Sequence, residues 1–158
     1  MKLSTYLSDR LRAVYLDGYW IANTNFKTQL ELTNWQQATQ KLDNLNTIAA
    51  LIFHINYYLE GLLNAFDSGK IEISDAFSFD CPPIQSDADW NNMIRIFLDH
   101  AEKFSVLVEN LDESVFEQPF FDDQYGSMIR NIEGVIEHSY YHLGQIVLIN
   151  KLLQKNNK

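Results

Sequence analysis

Four stretches of this chain repeat apolar residues at intervals of three and four, and the segments between them do not, a pattern that restricts it to packed α-helices. In the first, Leu3, Leu7, Leu11, Val14, Gly18 and Ile21 share one narrow face, which predicts a helix from about Ser4 into the Trp20 region. The second stripe is Ile48, Ile52, Ile55, Leu59, Leu62 and Phe66; it starts at Asn46 or Thr47, both good caps, and stops near Phe66, ahead of Asp67-Ser68-Gly69. A third helix opens on the capping signal of Ser86 and Asp89, buries Trp90, Met93, Ile94, Phe97, Ala101, Phe104, Val108 and Leu111, and closes near Asn110. The fourth runs from about Ser127 to Leu153, with Met128, Ile132, Val135, Ile136, Leu143, Ile146, Val147 and Leu153 inward.

The connections are unequal in length. Asn23 to Leu45 is polar with weak periodicity and reads as a long crossover holding one short helical turn capped by Asn34. Residues 70–85 contain Pro82-Pro83 and read as a connection, as does the acidic and aromatic segment from Glu113 to Gly126, where Pro119 rules out a helix interior. The expected fold is therefore all-α, a four-helix bundle with long crossover connections, built as a single domain over residues 1–158. A domain of this size buries roughly 70% of its unfolded surface and needs no staples.

Composition narrows the function. With 12 basic against 21 acidic residues and a formal net charge of −9, the chain has no basic stripe to neutralise phosphates, so nucleic acid is not an expected partner. Cys81 is the only cysteine, which excludes an intrachain disulfide and fits a reducing compartment. Asp9, Arg10 and Arg12 interrupt the apolar residues after Lys2, leaving no signal-peptide core, and no apolar run approaches membrane-spanning length. The expectation is a cytoplasmic protein without a membrane partner.

Chemistry concentrates in His138-Ser-Tyr-Tyr-His142-Leu-Gly-Gln145. Two imidazoles one helical turn apart are close enough to share one metal ion, and a catalytic centre of this kind takes a third ligand and leaves a position open. His54 is the best third ligand. It lies beside the second stripe, on the flank of Thr47, Tyr58, Gly61 and Ala65, where small neighbours would let another helix approach. Three neutral nitrogen donors suit Zn²⁺, Ni²⁺, Co²⁺ or Fe²⁺. The competing account is a group of ordinary hydrogen-bonding histidines at a bundle edge.

Supporting contacts are expected from Tyr58, one turn beyond His54, and from Asn131 and Gln145, in register with the histidine pair. Tyr58 also suits plain interfacial packing, and Gln145 a polar bundle edge. His100 falls inside the apolar arc of the third helix and reads as structural. No His-Glu-x-x-His signature occurs, since Glu137 precedes His138 and points elsewhere, so no carboxylate stands out as a general base. Asp112-Glu113 and Asp122-Asp123 lack the spacing of a calcium loop and read as solvated charge.

Asn46-Thr-Ile48 leading to His54, followed far downstream by Ile136-Glu-His138-Ser-Tyr-Tyr-His142-Leu-Gly-Gln145-Ile146, resembles the DinB/YfiT-like superfamily of bacterial metal-binding four-helix bundles. The resemblance covers nearly the whole chain in length and helix order. It implies a homodimer in which His54, His138 and His142 hold a divalent metal, Zn or Ni foremost. It also implies a small-molecule substrate and a reaction with a low-molecular-weight thiol of the bacillithiol or mycothiol type, or a metal-dependent hydrolysis. A third possibility is a non-catalytic, stress-related protein that works through dimerisation or partner binding.

Overall fold

The computed structural model describes residues 1–156 as an all-helical chain. Six α-helices follow in order: α1 (Leu3–Tyr15), α2 (Phe26–Glu31), α3 (Trp35–Thr39), α4 (Ile48–Ser68), α5 (Asp87–Glu109) and α6 (Met128–Asn156). Among the described residues no strand forms; Pro119 and Ser127 make an isolated bridge. Nor is any helix there long and apolar enough to cross a membrane.

α1, α4, α5 and α6 form the bundle. α5 packs on both α1 and α4, and α6 packs on the same two, so α1 and α4 occupy opposite corners. One hydrophobic core runs through all four, from Leu7 to Leu153. The consequence for chemistry is that α4 and α6 are neighbours.

Three of the four long helices follow their stripes. Thr47 caps α4 by accepting the amide of Ala50 at 3.1 Å, and Gly69 ends it in the left-handed conformation at φ 75°, which costs a glycine little. Ser86 caps α5 through the amide of Asp89 at 3.2 Å, and Asp89 returns a carboxylate to the hydroxyl of Ser86 at 2.8 Å. α1 departs from expectation, ending at Tyr15 instead of near Trp20. Gly18 folds back so closely that a Cβ there would lie 2.5 Å from the Cα of Ala13, and Trp20 and Ile21 are left exposed. The 3.6-residue spacing of Gly18 and Ile21 was coincidental.

The long crossover is less polar in effect than in composition. Asn34 caps α3 in a reciprocal capping box with Gln37, as its sequence suggests. The sequence gives α2 less away: Asn25 caps it through the amide of Thr28 at 2.8 Å, and Phe26 and Leu30 enter the core. There Phe26 meets Tyr15 and Phe97 in a cluster of ring centroids 5.4–5.7 Å apart. Trp90 anchors the same crossover from α5, its indole N–H donating to the carbonyl of Thr33 at 2.8 Å.

Two further expectations are corrected. Glu113 is not idle solvated charge: its carboxylate accepts the amides of Leu3 and Ser4 at 2.9 and 3.0 Å, supplying the start of α1 with the cap that Lys2 does not provide. Gly61 does not admit a second helix. The connection after α4 returns over it, and a Cβ at Gly61 would lie 2.6 Å from Cγ1 of Ile73.

Candidate metal centre

α4 carries His54 at mid-length beside the buried Leu51 and Ile55, and α6 carries His138 and His142 one turn apart on the flank of Ile136 and Leu143. Because these helices are neighbours, all three rings meet. His54 Nε2 lies 3.2 Å from His138 Nε2, which lies 2.9 Å from His142 Nε2, and the three donor atoms fall within 4.8 Å of one another. His54 and His142 are buried and His138 is half-buried. His100 stands apart, its Nδ1 donating to Asn56 Oδ1 at 2.9 Å and so joining α5 to α4.

The outer nitrogens settle the tautomers. His54 Nδ1 sits 3.3 Å from the carbonyl of Ser78, which can only accept, and His142 Nδ1 sits 2.7 Å from Oε1 of Gln145. Both rings therefore carry their proton on Nδ1 and turn a bare Nε2 lone pair toward His138. A single N–H on His138 can face only one of those lone pairs at a time. A cation satisfies all three nitrogens together. On a tetrahedral ion held at about 2.0–2.1 Å, nitrogens stand about 3.3–3.4 Å apart, so the observed 3.2 and 2.9 Å are each within about half an ångström. The donor set fits a divalent ion with an open position.

Aromatic rings close the surroundings. Phe79 stacks on His54 at 4.1 Å with only 14° between planes, and Tyr141 meets His142 edge-on at 4.9 Å. Tyr58 packs edge-on against His54 and His138 while its hydroxyl donates to Asp75 at 2.7 Å. Of the three expected supporting residues, Gln145 braces a histidine directly and Tyr58 confines two rings. Asn131 is not brought to the cluster. Its amide donates to the carbonyls of Tyr125 at 2.8 Å and Ser127 at 2.9 Å, tying down the start of α6 two turns before His138.

Ser78, Phe79 and Asp75 were not visible as site residues in the sequence. They belong to the connection between α4 and α5, where a 3₁₀ turn at Asp75–Phe77 folds back over His54. Only the aromatic character of Phe77-Ser-Phe79 hinted that this connection was more than a spacer.

The electrostatics keep the imidazoles neutral. Burial, then the nearby His142, lowers the pKa of His54; burial, then His142 and His54, pushes His138 down to about 4. Burial lowers His142 as well, against the opposing hydrogen bond to Gln145. Neutral rings are the ligating form. In metal-free protein the unfolded chain then takes up protons before the folded one. The stability contributed by these rings is full above the ordinary value of 6.5 and declines as pH falls toward about 4. Melting temperature of the apo protein should therefore drop across that interval, and His138→Gln should flatten the decline; an unchanged slope would contradict the assignment.

Gln145 allows a separate check. Replacing a group that orients a ligating histidine lowers metal affinity by about 10–100-fold. Gln145→Ala should weaken binding by that amount in a competition titration with a chromophoric chelator, without unfolding the chain. Affinity equal to wild type would leave Gln145 as a bundle-edge polar group.

Comparison of the chain with protein-family profiles, with curated proteins and with solved structures finds no match.

Proposed function

We propose that the chain is a divalent-metal protein, most simply of zinc or nickel, that activates a low-molecular-weight thiol for transfer to a small electrophile. The observation that carries this reading is the convergence of three Nε2 atoms, those of His54 and His142 bared and aimed by hydrogen bonds from Nδ1 to Ser78 and Gln145. Its final motif, His138 to Gln145, and its helix order support placing it with the DinB/YfiT-like bundles, which also suggests a homodimer. Bound there, a divalent ion would supply Lewis-acid chemistry, lowering the pKa of a thiol or water at its open position.

The chain's own residues have separable tasks. His54, His138 and His142 present neutral donors; Ser78 and Gln145 fix the tautomers. Phe79, Tyr58 and Tyr141 pack against the rings and hold their orientation. Glu137 points into an ion pair with Arg130 at 3.0 Å and is not offered to the cluster as a base.

The test is conjugation of a thiol panel to a chromogenic electrophile, with metal-loaded protein, metal-free protein and His142→Ala. Conjugation that requires both metal and His142 supports the reading. Conjugation unchanged in metal-free protein sinks it. Turnover of ester or amide substrates without any thiol would instead favour hydrolysis, and no turnover across both panels would favour a binding role.

A further inference from the structure

Beside His138, between α4 and α6 and reaching α1, lies a cavity of about 340 Å³ open to solvent. Its lining includes the apolar side chains of Ile55, Leu59, Leu62 and Val135 together with His138, Tyr15 and Ser139. Cavities from about 300 Å³ upward hold small ligands, and one of about 150 Å³ lined by apolar side chains already accepts a benzene ring.

The polar atoms around it have little to offer an anion. Ser139 Oγ donates to the carbonyl of Val135 at 2.6 Å, so Tyr15 must donate its proton to Ser139 Oγ at 2.5 Å, leaving only lone pairs in that pair. Tyr58 already donates its hydroxyl hydrogen to Asp75. No lysine or arginine lines the cavity. Arg130 Nη1 would lie 3.9 Å from a Cβ at Gly134, on the rim, and is paired with Glu137; Arg10, on α1, is paired with Glu133 at 3.6 Å. Apart from the ring of His138, the side chains that line this cavity offer a carboxylate or phosphate no free donor, so a charge buried there would recover little of the hydration it sheds.

The geometry points to an uncharged, apolar group, of the size of a benzyl or short alkyl chain, as the part of the substrate held beside His138. This deepens the thiol-transfer reading and rests on it for the identity of the reacting atom. An anionic thiol such as one bearing succinate or malate carboxylates is then seated with those charges outside the cavity, or is not the substrate.

Benzyl alcohol and benzoate carry the same ring and differ in charge. Each is titrated into metal-free, isotope-labelled protein while the methyl signals of Leu59, Leu62 and Val135 are followed by NMR. Benzyl alcohol is expected to give saturable shifts at these methyls, with benzoate weaker by roughly tenfold or more. Gly134→Leu fills the cavity from its rim. It should abolish the benzyl alcohol shifts; Gly134→Ala, whose one added Cβ meets only Arg130 Nη1, should fold and reduce them partially, and so guards against a misfolded leucine variant. Benzoate binding as tightly as benzyl alcohol, shifts unchanged in both Gly134 variants, or no saturable shifts in wild type would overturn the inference. Zinc uptake measured on the same samples reports on the metal reading alone, so that either can fail without the other.

Discussion

Purified without an affinity histidine tag, the protein should carry about one zinc or nickel ion per chain, and His54→Ala, His138→Ala and His142→Ala should each lose nearly all of it. With three ligands and one open position, no fourth side chain is at hand to replace a missing imidazole. The two rings that remain cannot hold the ion against a chelator, and the vacated volume adjoins Phe79 and Tyr58, which offer no nitrogen. His100→Ala serves as the control and should keep its metal, because His100 bonds to Asn56 away from the cluster. Elemental analysis after gel filtration decides the matter. Stoichiometric metal in any one of the three variants, or none in wild type after reconstitution with zinc, nickel and cobalt, would remove the ground for the proposed chemistry.

Phe97→Ala should cost about 3–5 kcal/mol, the range for deleting a fully buried aromatic ring. Phe97 is 0% exposed and lies edge-on to both Tyr15 and Phe26, so its loss empties the place where α1, α2 and α5 meet. In a chain of this length each kcal/mol moves the melting temperature by about 2–4 °C, giving a fall of roughly 6–20 °C. Phe77→Ala, at a position 58% exposed, should stay within about 0.5 kcal/mol of wild type. Equal losses from the two would mean that the core lies elsewhere.

How much could be read from the residues alone differs by kind of contact. α4, α5 and α6 were legible because one face of each repeats apolar residues and because Thr47, Ser86 and Gly69 are local signals that need no partner. The three histidines were legible for a similar reason: two share a helix, and the third sits on the flank of another long helix. What escaped is what depends on distant chain segments. α2 is only six residues long and carries just two inward positions, too few to show a period. The true end of α1 depends on Gly18 folding against Ala13, and the brace on His54 comes from the backbone of Ser78, which any residue type could provide. Asn131 failed for the opposite reason. Its register on the helix was right, but two turns of rise carry it away from the rings and toward the loop carbonyls.

Glu113 joins segments 110 residues apart when it caps the amides of Leu3 and Ser4. At about 5–20 residues per second, a ribosome needs roughly 5–20 s to make the chain between them. During that interval the first helix has neither its cap nor the helices that cover Leu7 and Leu11, and its apolar face stays open to chaperones and to neighbouring nascent chains. The first helix is thus synthesised well before the segment that completes it. Substitutions at Glu113 should therefore show more strongly in soluble yield from living cells than in the melting temperature of the finished protein.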